Sequence, residues 1–600
     1  MNSDFKNYFL KLRNPKFAYY SFLYFQKALF KKIKRLISYN NHFDDFKLIK
    51  SHRDDILCNW NIKIDIIPPI FKKSFELKLV TGSKRLKSSN DWHIRYDDAE
   101  MNVSIDRWSW LLLGLSNKIF PFDYDDGLFL IRSWSSEFIN DENLARQEPY
   151  SIGERISNGI LFFKLNKYTI PEDIILIFEK LTFQLVKNLE YYPNDLTGNH
   201  AFNNARALYL ISDLIINKNI KFLALEIANE RLNTLISADG FLREGSSNYQ
   251  FIFTRWVLEM VWNAKELRDH KTLKILLPFA KKLLKQCWFF LLYDKFNKNW
   301  NYPLFGDVSP DCPPSWLISL TWSKIAINIY KPKNIPLAPK NIGWAKLFGG
   351  ITDKHSSKNN LKINFSSACG WHRIEFFDWT IFTHAPLKET QLRATHSHLD
   401  LCSFVLYLKG KPIIIDIGRY DYTNSYLSKY CKSTKAHNSL IINELGPETE
   451  LFSWTNPSYS KININLTIEK SLNKIFIKIN HDGYKRFVKQ KIKHERNIIL
   501  NKKNVIIEDF IKGNGNVIVN NFFNFGPDLN LLKIDDKIMK LSNQLNFKIN
   551  GDSIKTNKSE KETSGWFFPS YGVKVPIIHL ETKTEKSLPL TIINEIILNK

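Results

Sequence analysis

The stretch THSHLDLCSFVLYLKGKPIIIDIG, residues 395–418, carries His396, His398 and Asp400 at one end and Asp416 at the other. Strand alternation puts the first three on one face, and KSTKAHNSLIINE then brings His437 to the start of another strand. Two imidazoles and a carboxylate from separate strand ends have the make-up of a three-ligand zinc site with an open position. The same groups also fit a plainer role, capping strand ends by hydrogen bonding. In TGNHAFNNARALYLIS, Gly198, Asn199 and His200 stand at the mouth of an apolar helix. Free N–H groups and the positive dipole end suit a carboxylate there, and Asn199 equally fits a helix cap. ADGFLREGSSNYQFIFTRW sets Arg243, Glu244 and Tyr249 between two helices, with Ser247 or Asn248 as the cap of the second. For glycoside hydrolysis the carboxylate pairs on offer are Glu244 with Asp307 or with Asp239, which must stand ~5–9.5 Å apart.

These groups need elements to hold them. From Pro171 to Tyr330 apolar residues recur at three- and four-residue spacing, which predicts helices at 171–192, 203–219, 221–237, 249–267, 271–293 and 314–330. Short loops between them make antiparallel hairpins that stack as a bundle, a solenoid or a closed toroid. KPKNIPLAPKN, residues 331–341, reads as a linker. Beyond it the period falls to two, with turn residues between runs, the pattern of antiparallel hairpins in a large sandwich. The fold class is therefore multidomain, α then β.

Composition narrows the partners less sharply. The 600-residue chain is 44% hydrophobic and 14% aromatic, ample for packed interiors, and too long for one ordinary core. Its formal charge of +25 favours polyanions such as acidic polysaccharide, an anionic membrane or nucleic acid. No nucleic-acid reader motif accompanies that charge. Six cysteines with no CxxC pair argue against a thiolate zinc site or a disulfide framework. Near the N-terminus, QKALFKKIKRLI forms a basic amphipathic helix that either lies on an anionic membrane surface or packs as an ordinary solvated face. The aromatic run before it is far short of a membrane span, and no small-residue cleavage pattern marks a signal peptide.

Taken together, NH at a helix start, DGFLREGSSNYQ, GDVSPDCPPSW and THSHLD…IIIDIGRYDY…KAHNS resemble the heparinase II/III-like polysaccharide lyases. GERISNGILFFKL and the closing GWFFPSYG also fit, so the resemblance covers roughly residues 100 to 600. It implies an incomplete (α/α) toroid (101–335) followed by a large antiparallel β-sandwich (345–600); residues 1–100 match it poorly and are read as a basic N-terminal segment holding the amphipathic helix and the start of the toroid. It implies cleavage of a uronate-containing acidic polysaccharide by β-elimination, with the C5 proton removed and the C4 oxygen expelled. Asn199 resembles the family's carboxylate-binding Asn, Tyr249 its catalytic Tyr and His200 the neighbouring catalytic His. Tyr430 is a second tyrosine for the site or a packing residue, and Arg243, Glu244 and His396 are placed toward substrate. His398, Asp416 and His437 match positions that hold one divalent metal, a structural zinc. The cell envelope or periplasm is the implied compartment, beside a cytoplasmic one in the absence of an evident signal peptide. Two other readings stand: a glycan-binding or envelope-assembly protein without turnover, and a glycoside hydrolase.

Overall fold

In the computed structural model, residues 43–599 are described, except 59, 61, 63, 114–121, 142–145, 192–197, 216, 333–336, 352–364, 367–368, 386–395, 449–461, 486, 488, 534, 536 and 558–562. The basic amphipathic stretch near the N-terminus lies outside the described residues. The helical half begins with α1 (Phe43–Cys58) and continues through α2 (Ala99–Asp106), α3 (Tyr124–Phe138), α4 (Pro149–Asn166), α5 (Glu172–Lys187), α6 (Asn199–Ile211), α7 (Lys218–Leu235), α8 (Ser247–Glu266), α9 (His270–Phe290), α10 (Pro314–Leu320) and α11 (Lys324–Ile329). Among the described residues no helix is long and apolar enough to cross a membrane.

The helices divide into two kinds. Along α4, α6 and α8 almost every side chain is buried, whereas α5 and α9 keep a polar face in solvent. A helix buried all round is one surrounded by others, so α4, α6 and α8 form the inner wall of the (α/α) toroid. That wall is not purely apolar. Arg206 pairs with Glu154 and Glu259 at 3.0 Å each, and Arg255 reaches the same two carboxylates at 3.2 and 3.4 Å. Two cations and two anions thus cross-link the three inner helices with no net charge.

Several expected boundaries move for local reasons. The helix expected at 203–219 ends at Ile211, and Asn217 starts α7 by accepting a hydrogen bond from the Asn219 N–H. The helix at 314–330 splits, because the Ser323 hydroxyl caps a new start at Ala326. Ser246, not Ser247 or Asn248, caps α8. Leu292 and Tyr293, read as the end of a helix, belong to a strand, Leu292–Asp294, that pairs with Asn299–Asn301.

The halves share a core. Trp371, Phe382, Val405 and Tyr407 of the first sheet lie in the same hydrophobic cluster as the toroid helices. Phe75, Leu77, Leu79 and Leu86 of a hairpin (Phe75–Leu79 with Gly82–Leu86) join it too, so the first hundred residues contribute to the toroid core. Arg373 fastens the junction by donating to the carbonyls of Phe289 and Leu291.

Beyond that junction a five-stranded sheet ends in the hairpin Phe404–Leu408 and Lys411–Ile414, turned at Lys409 and Gly410 with positive φ. An eight-stranded and a four-stranded antiparallel sheet follow, sharing an apolar interior of Ile477, Ile498, Ile507, Phe523 and Phe547. The alternation in Lys474–His481 and Asn504–Lys512, one residue in and one out, is the period of two read from the sequence.

Candidate active site

The site forms where loops of the toroid press against the chain just before the Phe404 strand. Two glycines allow that approach. Gly245 and Gly306 both have φ +72°; a Cβ on the first would stand 2.6 Å from Ser397 Cβ, and one on the second 2.4 Å from the His396 carbonyl oxygen. The Asp307 N–H then donates to that same carbonyl at 2.9 Å. Residues 396–402 are accordingly bends and turns, not the strand expected, because their backbone bonds go to Asp307 of the toroid, to Lys432 and to Ser403.

Glu244 organises the start of α6. Its carboxylate accepts from the Asn199 backbone N–H at 3.1 Å and from Asn199 Nδ2 at 2.6 Å, supplying the cap that Gly198 cannot. Asn199 Nδ2 also lies 3.1 Å from His396 Nε2. The other side of that imidazole, Nδ1, lies 3.2 Å from Asp307 Oδ2, while Asp307 Oδ1 lies 2.9 Å from His398 Nε2. A carboxylate only accepts, so His396 carries its proton on Nδ1 and His398 on Nε2. His396 Nε2 and His398 Nδ1 are thereby left as lone-pair nitrogens. Burial pushes the Asp307 carboxyl up, but Arg419 and the two histidines outweigh it and hold its pKa well below the carboxylate range.

Tyr249, in the first turn of α8, stacks on His396 with ring centroids 3.6 Å apart and 18° between planes. Its hydroxyl is 3.1 Å from that of Tyr422, which donates to the Val308 carbonyl at 3.0 Å. Burial raises the Tyr249 pKa well above the usual phenol value; the Tyr422 hydrogen bond opposes this, and Asp307, Asp311 and Glu100 add to it. The phenol is therefore protonated at neutral pH. His200 faces a different set: Nδ1 is 2.9 Å from Glu190, and the ring lies 4.6 Å from that of Tyr150. Burial opposes its protonation, yet Glu190 outweighs burial and the pKa lies above the ordinary imidazole value. Tyr150 bonds to Asp311, and Asp311 pairs with Arg107 at 3.1 Å.

His398, Asp416 and His437 also converge, each offering a ligand atom within 4.8 Å of the others, all buried. His437 Nδ1 is 2.8 Å from Asp416 Oδ2, and the two imidazole rings are 5.3 Å apart. His398 Nδ1, His437 Nε2 and Asp400 Oδ2 are buried without hydrogen-bond partners. Burial pushes the Asp400 carboxyl up to about 7, with His437 lowering and Asp416 raising it. Two unpaired imidazole nitrogens converging with the Asp416 carboxylate fit a divalent cation such as zinc.

The structure thus brings together Asn199, Glu244, Tyr249 and His396 on one side of Asp307, and His398, Asp416 and His437 on the other. Arg243 Nη1 donates to the Thr234 carbonyl in the last turn of α7. Tyr430 sits in a short helix, α12 (Tyr426–Lys432), packed beside Ile415, Ile417 and Cys431 with its hydroxyl on the Lys435 carbonyl. Tyr422, eight residues earlier, is the tyrosine that meets Tyr249. Asp307 and Tyr422 lay inside the quoted motifs GDVSP and RYDY without being singled out for these roles. Asp311 likewise lay inside the quoted GDVSPDCPPSW, whereas Tyr150 and Arg107 had no signal beyond residue type. Five of the six cysteines are buried and Cys58 is exposed, and among the described residues none forms a disulfide.

Residues 360–593 match the family model for the heparinase II/III-like C-terminal domain. No curated protein sequence matches the chain. Among solved structures, a heparinase III superposes with TM-score 0.63 at 15% identity, covering 94% of this chain and 90% of the other. The heparan sulfate lyase HepC mutant from Pedobacter heparinus gives 0.54 at 15% identity, with 95% and 91% covered. A further heparinase III gives 0.55 at 13% identity, with 95% and 91% covered.

Proposed function

From a chain whose residues 360–593 form a heparinase II/III-like C-terminal domain, on the toroid-and-sandwich fold of heparinase III, we propose a polysaccharide lyase that cleaves a uronate-containing acidic polymer by β-elimination. The observation that carries this reading is the contact of Asn199, His396 and Tyr249, an amide donor, a lone-pair imidazole and a protonated phenol within one cluster. Those are the parts the reaction needs. The C5 proton of a uronate is too weakly acidic while the adjacent carboxylate is fully charged, so that charge must be met by a donor. Asn199 Nδ2 is such a donor, and one well-aimed donor to the developing charge is worth about 3 kcal/mol. In the free protein it donates to His396 Nε2; a uronate inserting between them takes the amide hydrogen and frees Nε2 to accept the C5 proton. Tyr249, kept protonated by burial, then delivers its proton to the departing O4.

This assigns the base role to His396, where the family resemblance had pointed to His200. His200 is bonded to Glu190 and its ring lies tilted at 49° against Tyr150, whereas it is His396 that stacks on Tyr249. Asp307 fixes the productive tautomer of His396 by accepting from Nδ1. The hydrolase reading is weaker on the same ground. A general acid must hold a proton, and Asp307 is ionised between Arg419 and two histidines, while Glu244 is committed to Asn199.

His398, Asp416 and His437 would hold one zinc, which supplies positive charge and cross-links three chain segments and takes no part in bond breaking. A net charge of +25 favours an anionic polymer as partner, and the cell envelope is the compartment where such a polymer is met. Incubation with heparan sulfate, alginate, hyaluronan and bacterial capsular polymers tests the proposal through the ultraviolet absorbance of the unsaturated uronate. A rise with one polymer, lost in Tyr249→Phe, is the expected result. Flat traces with every polymer, or new reducing ends without absorbance, would sink it.

A further inference from the structure

We infer that Tyr422, contributed by the sandwich, is a positioning residue for proton delivery by Tyr249, holding the phenol for donation and its phenolate afterwards; this rests on the lyase reading above. The direction of the hydroxyl chain carries the argument. Tyr422 has one hydroxyl hydrogen, and it is given to the Val308 carbonyl at 3.0 Å. At the 3.1 Å contact Tyr249 is therefore the donor and Tyr422 the acceptor. Tyr422 is itself held from both halves of the molecule. Its backbone N–H donates to the Tyr571 hydroxyl at 3.2 Å, and that hydroxyl donates to Asp98, the cap of α2 in the toroid, at 3.2 Å. Arg419 lies 5.6 Å from the Tyr422 ring.

In the reaction the electron pair of the C5–H bond forms the C4=C5 double bond, and the C4–O4 bond opens. O4 takes the Tyr249 proton, leaving a phenolate where the surrounding charges, Asp307, Asp311 and Glu100, are negative. Rotation about the Tyr422 C–O bond turns its hydrogen from the Val308 carbonyl to that phenolate, without moving a heavy atom. The proton gained from C5 by the base and the proton lost by Tyr249 are equal, so the cycle closes by exchange with solvent. A hydrogen bond to a charged group is stronger than one to a carbonyl, so this switch favours the step in which the phenolate appears.

The test compares two substrates with wild type and Tyr422→Phe. One is the polymer that gives unsaturated product; the other is a synthetic glucuronate bearing nitrophenolate at C4, a leaving group that departs without a proton. Tyr422→Phe is expected to lower kcat on the polymer by about 10- to 100-fold with little change in KM. On the nitrophenolate substrate it is expected to stay near wild type. The ratio of the two rates does not depend on how much of the variant folds. A variant-to-wild-type ratio equal on both substrates, including no loss on either, overturns the inference and leaves the lyase reading intact. A wild type inert toward both substrates overturns the lyase reading and the inference with it.

Discussion

The two halves of this molecule bury charge in different ways. The toroid buries arginines against carboxylates: Arg206 and Arg255 share Glu154 and Glu259 between three inner helices. The sandwich side also buries an arginine against a carboxylate, Arg496 with Asp509 at 2.7 Å, and adds a set of histidines. His372, His384, His398, His437, His481, His494 and His579 are all buried, and all lie in the β half; burial lowers the pKa of each except His437, where Asp416 outweighs burial and raises it. Helices packed around an axis bring several long side chains to one line, where opposite charges can meet. Strands deliver side chains singly between sheets, where an uncharged imidazole can stack or hydrogen bond. His384, for instance, lies flat on Trp371 with centroids 3.9 Å apart. His481, His494 and Asp509 form a hydrogen-bonded row at 2.9 and 2.8 Å. The lesson is that acid attacks the two halves by different routes, and the site between them depends on both.

The contrast can be broken from either side. The largest effect is expected at the junction, where Tyr249→Phe should lower kcat by about 10²–10⁴-fold, read as the rate of unsaturated product. Next comes the toroid network. Arg255→Met leaves Glu154 and Glu259 with one cation instead of two, and a broken buried pair costs about 3–5 kcal/mol. Denaturant unfolding should register that loss, and a loss below about 1 kcal/mol would mean the inner charges are hydrated rather than paired.

Asp307→Asn is expected to act more mildly, lowering kcat by about 10- to 100-fold. An amide offers one acceptor oxygen where the carboxylate offered two, so either His396 or His398 loses its tautomer. Proton NMR of the imidazole hydrogens, beside kinetics, separates this from simple unfolding. Metal analysis on the same samples adds a further check. Wild type should carry one zinc per chain and His437→Ala none, with chelation lowering the melting temperature of the wild type alone.

The smallest effect sharpens the comparison itself. Burial lowers the pKa of His372 and His579 to about 4 and that of His384 to about 3. Unfolded histidine titrates near ~6.5, so below that pH the unfolded chain binds more protons than the folded one. The stability these groups contribute is therefore complete above pH ~6.5 and is lost as pH falls toward the folded values, by about 1.4 kcal/mol per group per pH unit. His384→Phe keeps the stacking on Trp371 and removes one such group. Its stability loss between pH 6.5 and 5 should be smaller than that of wild type by about 2 kcal/mol, measured by denaturation at both pH values. Equal acid sensitivity would remove the histidines from the account.

Much of this could be read along the chain because it is local. Periodicities of three to four and of two separated the halves, since a helix and a strand each expose one face at fixed intervals. The His398, Asp416 and His437 set was visible because all three flank one hairpin and its successor. Asn199 and Tyr249 stood at helix starts, where polar residues before an apolar run are informative.

What the sequence by itself determined is the order of elements, the residue types available for chemistry, and a resemblance carried by short motifs. What only the tertiary structure decided is which of those residues touch. Tyr430 had suitable chemistry and packs beside an apolar cluster, its hydroxyl on the Lys435 carbonyl. Asp307 and Tyr422 became central because Gly245 and Gly306 let toroid loops meet the loop at His396 at backbone distance. Such contacts join residues far apart in the chain, so no local spacing records them. They follow from burying two apolar surfaces against each other, and the polar groups caught at that seam became the site.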